Sequence, residues 1–250
     1  MFGKKTSCDC KALYLKHLNF VILSLGIMMG GFFPGYYYYK AKTGANSVVV
    51  KGLAEQDVKA DLAIWNIKFV VTGNDLQTAV NKVEKQINTI KDFLAKNNIL
   101  ENEINVNVLQ TNDLTANPYH NSNDNPIRFI LTQEIVVKSV NVDNIAKTLN
   151  KSAELVNKGI IFNQEYGSPV TYLFTKLNDI KPQMLAIATK NAKKAAEEFA
   201  QNSGSRVGNI RHANQGTFSI LPSEQSLGAS ESYQINKKVR VVSTVEYWLK

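Results

Sequence analysis

The chain has 250 residues, with 44% hydrophobic and 20% charged side chains and a formal net charge of +8. About 205 residues follow the first apolar segment, enough for one large domain or two intimate halves. The charge is not a nucleic-acid footprint. Residues 1–45 carry six lysines and one acid, whereas the rest carries 23 basic and 20 acidic residues.

The basic excess flanks the stretch LNFVILSLGIMMGGFF, residues 18–33, whose only polar members are Asn19 and Ser24. Carried on through Tyr39, it gives twenty-two residues of helix, enough to cross a bilayer. Tyr36 to Tyr39 would then sit at the far interface, where amphipathic rings are favoured. Four lysines precede the segment and Lys40 and Lys42 follow it. The positive-inside rule puts the N-terminus in the cytoplasm and the body beyond an inner membrane, in the periplasm. The spacing predicts a cytoplasmic segment over 1–17, an anchor over 18–39, a linker over 40–46 and one domain over 47–250. Thr43-Gly44-Ala45 has the small residues of a cleavage site. It lies far past the apolar run with two lysines between, which favours an uncleaved anchor. Gly26 with Gly30, and Gly31 with Gly35, form GxxxG spacings that let membrane helices approach closely.

Cys8 and Cys10 precede the anchor and the body has no cysteine, so no disulfide framework holds it. They read as reduced thiols; a metal pair would need more ligands than His17 supplies.

Ser47 to Ala54 reads as a strand turned by Glu55-Gln56-Asp57. Ala63, Trp65, Ile67, Phe69 and Val71 alternate with polar residues, the mark of a half-buried strand. Asn74 is expected to open a helix, with Gln77 in a capping box. Leu76, Val80, Val83, Ile87, Ile90 and Leu94 form its stripe, and Asn97-Asn98 its end. Ile104, Val106 and Val108 suggest a third strand, Gln110 to Pro126 a long loop and Ile127 to Ser139 a fourth strand. Val142, Ile145, Leu149, Ala153 and Val156 stripe a second helix closed by Gly159. Short strands at 160–162 and 170–174 are broken by Gly167-Ser168-Pro169. A third helix is expected over about 179–203, with Pro182 in its first turn, Leu185, Ala188, Ala192, Ala195 and Phe199 inward, and Gly204 as stop. Strands over 207–213 and 237–249 close the chain around a polar loop at 222–232. The order predicts an α+β fold: mainly antiparallel sheet with three helices packed on it, preceded by one N-terminal transmembrane helix.

Residues 47–249 resemble the SIMPL domain family, the YggE-like exported bacterial proteins. VVVKGLAEQDVKADLAIWNIKF resembles the family's opening hairpin, with Gly52 and Asp61 matching and Ala54 and Ala60 departing from its glycine and proline. ENEINVNVLQT and Asn117-Pro118-Tyr119 resemble its middle. YLFTKLNDIKPQM, ATKNAKKAAEEFAQNSGSRVG, ANQGTFSI and KKVRVVSTVEYWL resemble its later stretches. The resemblance implies export to the cell envelope, a loose association with stress tolerance and, for some members, assembly. It implies no catalytic residues.

The residues themselves suggest little chemistry. GxSxG, HExxH, P-loop and CxxC motifs are absent from the sequence. His120 with Asp113 and Asp124 has a spacing open to a metal, but an Asn-rich loop more simply makes turns, so no metal or cofactor is expected. His212 reads as a solvated strand residue. Gly204-Ser205-Arg206-Val207-Gly208 looks phosphate-friendly but reads first as a helix cap. Lys237, Lys238 and Arg240 read as an exposed strand face. Gln215 and Gly216 are the site-like candidates, Gly216 supplying a positive φ and Gln215 hydrogen bonds. Two functions stand: a membrane-anchored, non-enzymatic envelope protein that binds or assembles, or an enzyme whose site forms only in three dimensions. The membrane is the expected partner, the anchor admits a homo-oligomer, and no small-molecule ligand can be named.

Overall fold

A computed structural model describes residues 8–43, 46–116, 127–163, 170–224 and 230–250. The fold is α+β. It divides into two units, one of 1–51, 192–214 and 244–250, the other of 52–191 and 215–243.

The first unit holds helix α1 (Cys8–Thr43), the start of strand β1 (Ser47–Lys59), the end of helix α5 (Leu177–Asn202), most of β7 (Val207–Gln215) and the end of β9 (Asn236–Leu249). The strand order is β1-β9-β7. Val48, Val245 and Tyr247 pack with Ala192 and Ala196 of α5. The inward residues of α5 are Met184, Ala188, Ala192, Ala196 and Ala200, strictly four apart. Phe199, expected inside, is 56% exposed, and Ala195 is only half-buried. The strict four-residue ridge places methyl groups against the strands, so the helix axis can lie close. Pro182 lies inside the helix, not in its first turn. Gly204 ends it at φ +70°.

The second unit is built on a sheet of β3 (Ile104–Val106), β5 (Phe129–Ser139), β2 (Leu62–Gly73) and β6 (Val170–Leu173) in that order, with β4 (Gln110–Asp113) also on β5. Strand β2 (Leu62–Gly73) runs antiparallel to β5 (Phe129–Ser139), in register from Ala63–Ser139 to Gly73–Phe129. The five alternating residues expected inside are all buried; Trp65 is 2% exposed. Helix α2 (Leu76–Lys96) covers them with Val83, Ile90, Phe93 and Leu94. Its N-cap is Asp75, which accepts from Thr78 N–H at 2.8 Å, so the predicted Asn74–Gln77 box does not form. Its buried face adds Ala79 and Phe93 to the expected Val83, Ile90 and Leu94, with Val80 and Ile87 partly buried and Leu76 exposed. Asn98 ends this region at φ +58°.

Several expected elements differ. Glu55-Gln56-Asp57 is strand, not turn: Ala54 is buried and Val58 is packed on the core, while Glu55 and Asp57 alternate outward. Gln110–Asp113, expected as loop, is β4. The second predicted helix is two, α3 (Val142–Leu149) and α4 (Ala153–Asn157). The break after Asn150 shifts the helical phase by one, burying Leu155 and leaving Val156 55% exposed. The body thus has four helices, not three, among the described residues. Phe162 makes one bridge to Phe69, and β6 covers Val170–Leu173. Ser219–Pro222, unforeseen, forms β8 antiparallel to β9. Ala54, Met184, Ala188, Val239 and Val241 form a further core in this unit.

Lys237, read as exposed, points inward with no exposed surface. Its phase on β9 matches Val239 and Val241, and its ammonium donates to the Glu231 main-chain oxygen and, at 2.9 Å, to Glu231 Oε1. That carboxylate lets a cation occupy an apolar position. Lys238 and Arg240 are the outward members and lie 3.8 and 3.7 Å from Glu55.

Candidate functional site

Among the described residues one helix is long and apolar enough to cross a membrane: His17–Lys42 within α1. Its 26 residues span about 39 Å at 1.5 Å per residue. Leu18 through Tyr39 present their large apolar side chains outward. A Cβ built on Gly26, Gly30, Gly31 or Gly35 meets nothing within 4 Å, so all four leave open helix surface. Pro34 lies within the same continuous helix.

Gly216 does not have the positive φ expected of it; among the described glycines that belongs to Gly159 and Gly204. It is required by close approach instead. A Cβ there would stand 2.2 Å from the Val242 carbonyl oxygen, to which Gly216 N–H already donates at 3.0 Å. The hydrogen bonding at this corner therefore belongs to the Gly216 backbone, and the Gln215 side chain is exposed. Gln215 and Gly216 mark the passage from β7 to β8.

In the first unit, Ser47 Oγ donates to Glu246 Oε1 at 2.6 Å and Arg211 Nη1 donates to the same oxygen at 2.7 Å. The Arg211 guanidinium lies 4.6 Å over the Trp248 ring. The Ser47 hydrogen bond, the Arg211 charge and hydrogen bond, and the nearby His212 hold the Glu246 carboxyl below its ordinary range, against the opposing effect of burial. A carboxylate held this way takes up a proton less readily, so it is poorly suited to activate Ser47. The cluster reads as a clamp joining three strands, β1, β7 and β9. His212, read as solvated, is exposed. The Gly204–Gly208 loop donates Gly204 and Ser205 N–H to α5 carbonyls, the cap reading rather than a phosphate cradle.

In the second unit, residues 107–109 stand opposite only Gln133 and Glu134, between the pairs Val106–Ile135 and Gln110–Thr132. The extra residue is a bulge in the sheet edge. It leaves Val108 87% exposed and opens a groove of about 510 Å³ lined by Lys68, Asn105, Asn107, Gln110, Thr132 and Glu134.

A family model described as SIMPL, protein of unknown function (DUF541), matches residues 48–247. The chain belongs to the SIMPL family. Comparison with curated proteins gives no match. The SIMPL match begins just after α1 and ends within β9, so the apolar helix precedes the matched region.

Within the SIMPL region, Asp113 is engaged by Arg128 Nη2 at 3.1 Å and by Thr115, whose hydroxyl donates at 2.7 Å. His120, Asp124, Asn117-Pro118-Tyr119 and Gly167-Ser168-Pro169 lie outside the described residues. No group of three His, Cys, Asp or Glu able to hold a metal occurs among the described residues. Sequence reading missed the groove because a one-residue bulge leaves no periodic signature. The dense Asn content of 105–107 was its one visible trace.

Proposed function

We propose that this SIMPL protein is a membrane-anchored envelope protein whose body binds or assembles without performing a reaction of its own. The observation that carries this reading is α1: a helix of membrane-spanning length whose large apolar side chains are exposed among the described residues. Four lysines before the apolar stretch favour a cytoplasmic N-terminus and a periplasmic body over 47–250. The helix is retained as an anchor, with the Gly26–Gly30 pair and the Gly31–Gly35 pair, on different faces, as its close contacts for a second copy.

Strand β7 is the assembly edge. It stands at the end of the order β1-β9-β7, and residues 209–215 are exposed on both faces, Ile210 among them. An open edge templates another strand, and confinement to a membrane raises the effective concentration of copies. The test is the mass of the full chain in detergent micelles, by light scattering with the detergent contribution subtracted. A discrete oligomer is expected, dissociated by Ile210→Lys with circular dichroism unchanged. A monomer at every concentration would remove the body from assembly.

A further inference from the structure

The geometry points to the groove at the bulge of the second unit as a binding site for a neutral polyhydroxylated ligand, a carbohydrate. Its polar groups are fixed before any ligand arrives. Gln133, 2% exposed, donates from Nε2 to the Asn107 main-chain oxygen at 2.7 Å and to that of Glu134 at 3.1 Å. Asn107 N–H donates to the Glu134 main-chain oxygen at 2.9 Å. Above this base the side chains form a chain: Asn105 Nδ2 donates to Asn107 Oδ1 at 2.9 Å, and Asn107 Nδ2 to Glu134 Oε2 at 2.7 Å.

That chain uses only part of each group's capacity. Asn105 keeps its amide oxygen and a second N–H, Asn107 a second N–H, and Glu134 its other oxygen. Thr132 and Gln110 add a hydroxyl and an amide to the lining. Donors and acceptors therefore alternate over a short distance, which suits a sugar because each hydroxyl both donates and accepts. Val108, thrust outward by the bulge, offers an apolar surface for the C–H face of a ring.

Two observations narrow the class. Lys68 and Glu134 are direct cross-strand neighbours, so the floor carries both signs and favours neither an anion nor a cation. The edge is also broken for a peptide strand: β3 (Ile104–Val106) and β4 are three and four residues long, and the Asn107 backbone between them is turned onto β5. A groove of about 510 Å³ lies in the usual range for small ligands. This site does not depend on α1 or on assembly.

The test is saturation-transfer NMR on the full chain in phospholipid nanodiscs, which avoid sugar-headed detergents, with N,N′-diacetylchitobiose and maltose as probes. Saturable transfer to ring protons is expected at up to about 10 mM of at least one disaccharide. The double variant Asn105→Ala with Gln110→Ala, both exposed positions, should weaken it at least about tenfold. Lys138→Ala, on β5 with Thr132 and Glu134 but outside the lining, should leave it unchanged. No transfer from either disaccharide, or equal transfer in the double variant, would overturn the proposal.

Discussion

Gly216 shows how one residue can be required for a reason other than backbone freedom. Its φ is ordinary, yet a methyl group would sit 2.2 Å from the Val242 carbonyl oxygen. That oxygen is main chain on a paired strand and cannot step aside without distorting the ladder. Gly216→Ala is expected to cost roughly 1–3 kcal/mol in a denaturant titration, the range of an overpacked site. Wild-type stability would show that the corner opens freely. Glu246 gives a residue-scale pH prediction. Ser47, Arg211 and His212 hold its carboxyl below the ordinary range. Its contribution to stability is therefore present at neutral pH and is lost as the pH falls through that lowered value. Ser47→Ala and Arg211→Ala should each move the carboxyl titration, followed by NMR, back toward the ordinary value. No movement in either variant would contradict the clamp.

At the scale of elements, α5 separates what periodicity shows from what it hides. Apolar residues at 185, 188, 192, 195 and 199 fit a stripe as well as those at 184, 188, 192, 196 and 200. Ala188 and Ala192, common to both sets, are buried and Leu185 packs against the core, but Ala196 and Ala200 rather than Ala195 and Phe199 complete the buried ridge, with Ala192 and Ala196 packed on Val245 and Tyr247. Ala196→Leu is therefore expected to lose roughly 1–3 kcal/mol by overpacking, while Phe199→Ser should stay within about 0.5 kcal/mol. Equal effects in a urea melt would restore the other face. The same limit explains the remaining differences. Strand β2 was legible because Ala63 to Val71 alternate without ambiguity and every inward residue is buried. Lys237 was not, because only Glu231, six residues earlier and brought back by the chain, makes its inward phase tolerable. The bulge at 107–109 was invisible for a related reason: it is defined by the partner strand's register, which a linear sequence does not carry.

At the scale of the whole molecule, the SIMPL region supplies cores, edges and a polar groove, and α1 supplies a stretch whose large apolar side chains are exposed among the described residues. An exposed stretch of this kind is costly in water and at home in a bilayer. On the proposed reading this helix is retained and holds the body at the membrane. The most direct measurement is the intact mass of the protein recovered from alkali-washed membranes of cells expressing the full chain. The prediction is membrane-retained protein whose mass still includes residues 18–39, with Cys8 and Cys10 unlabelled by an impermeant thiol reagent until the membrane is opened. A washed-off protein whose mass begins near Asn46 would contradict it.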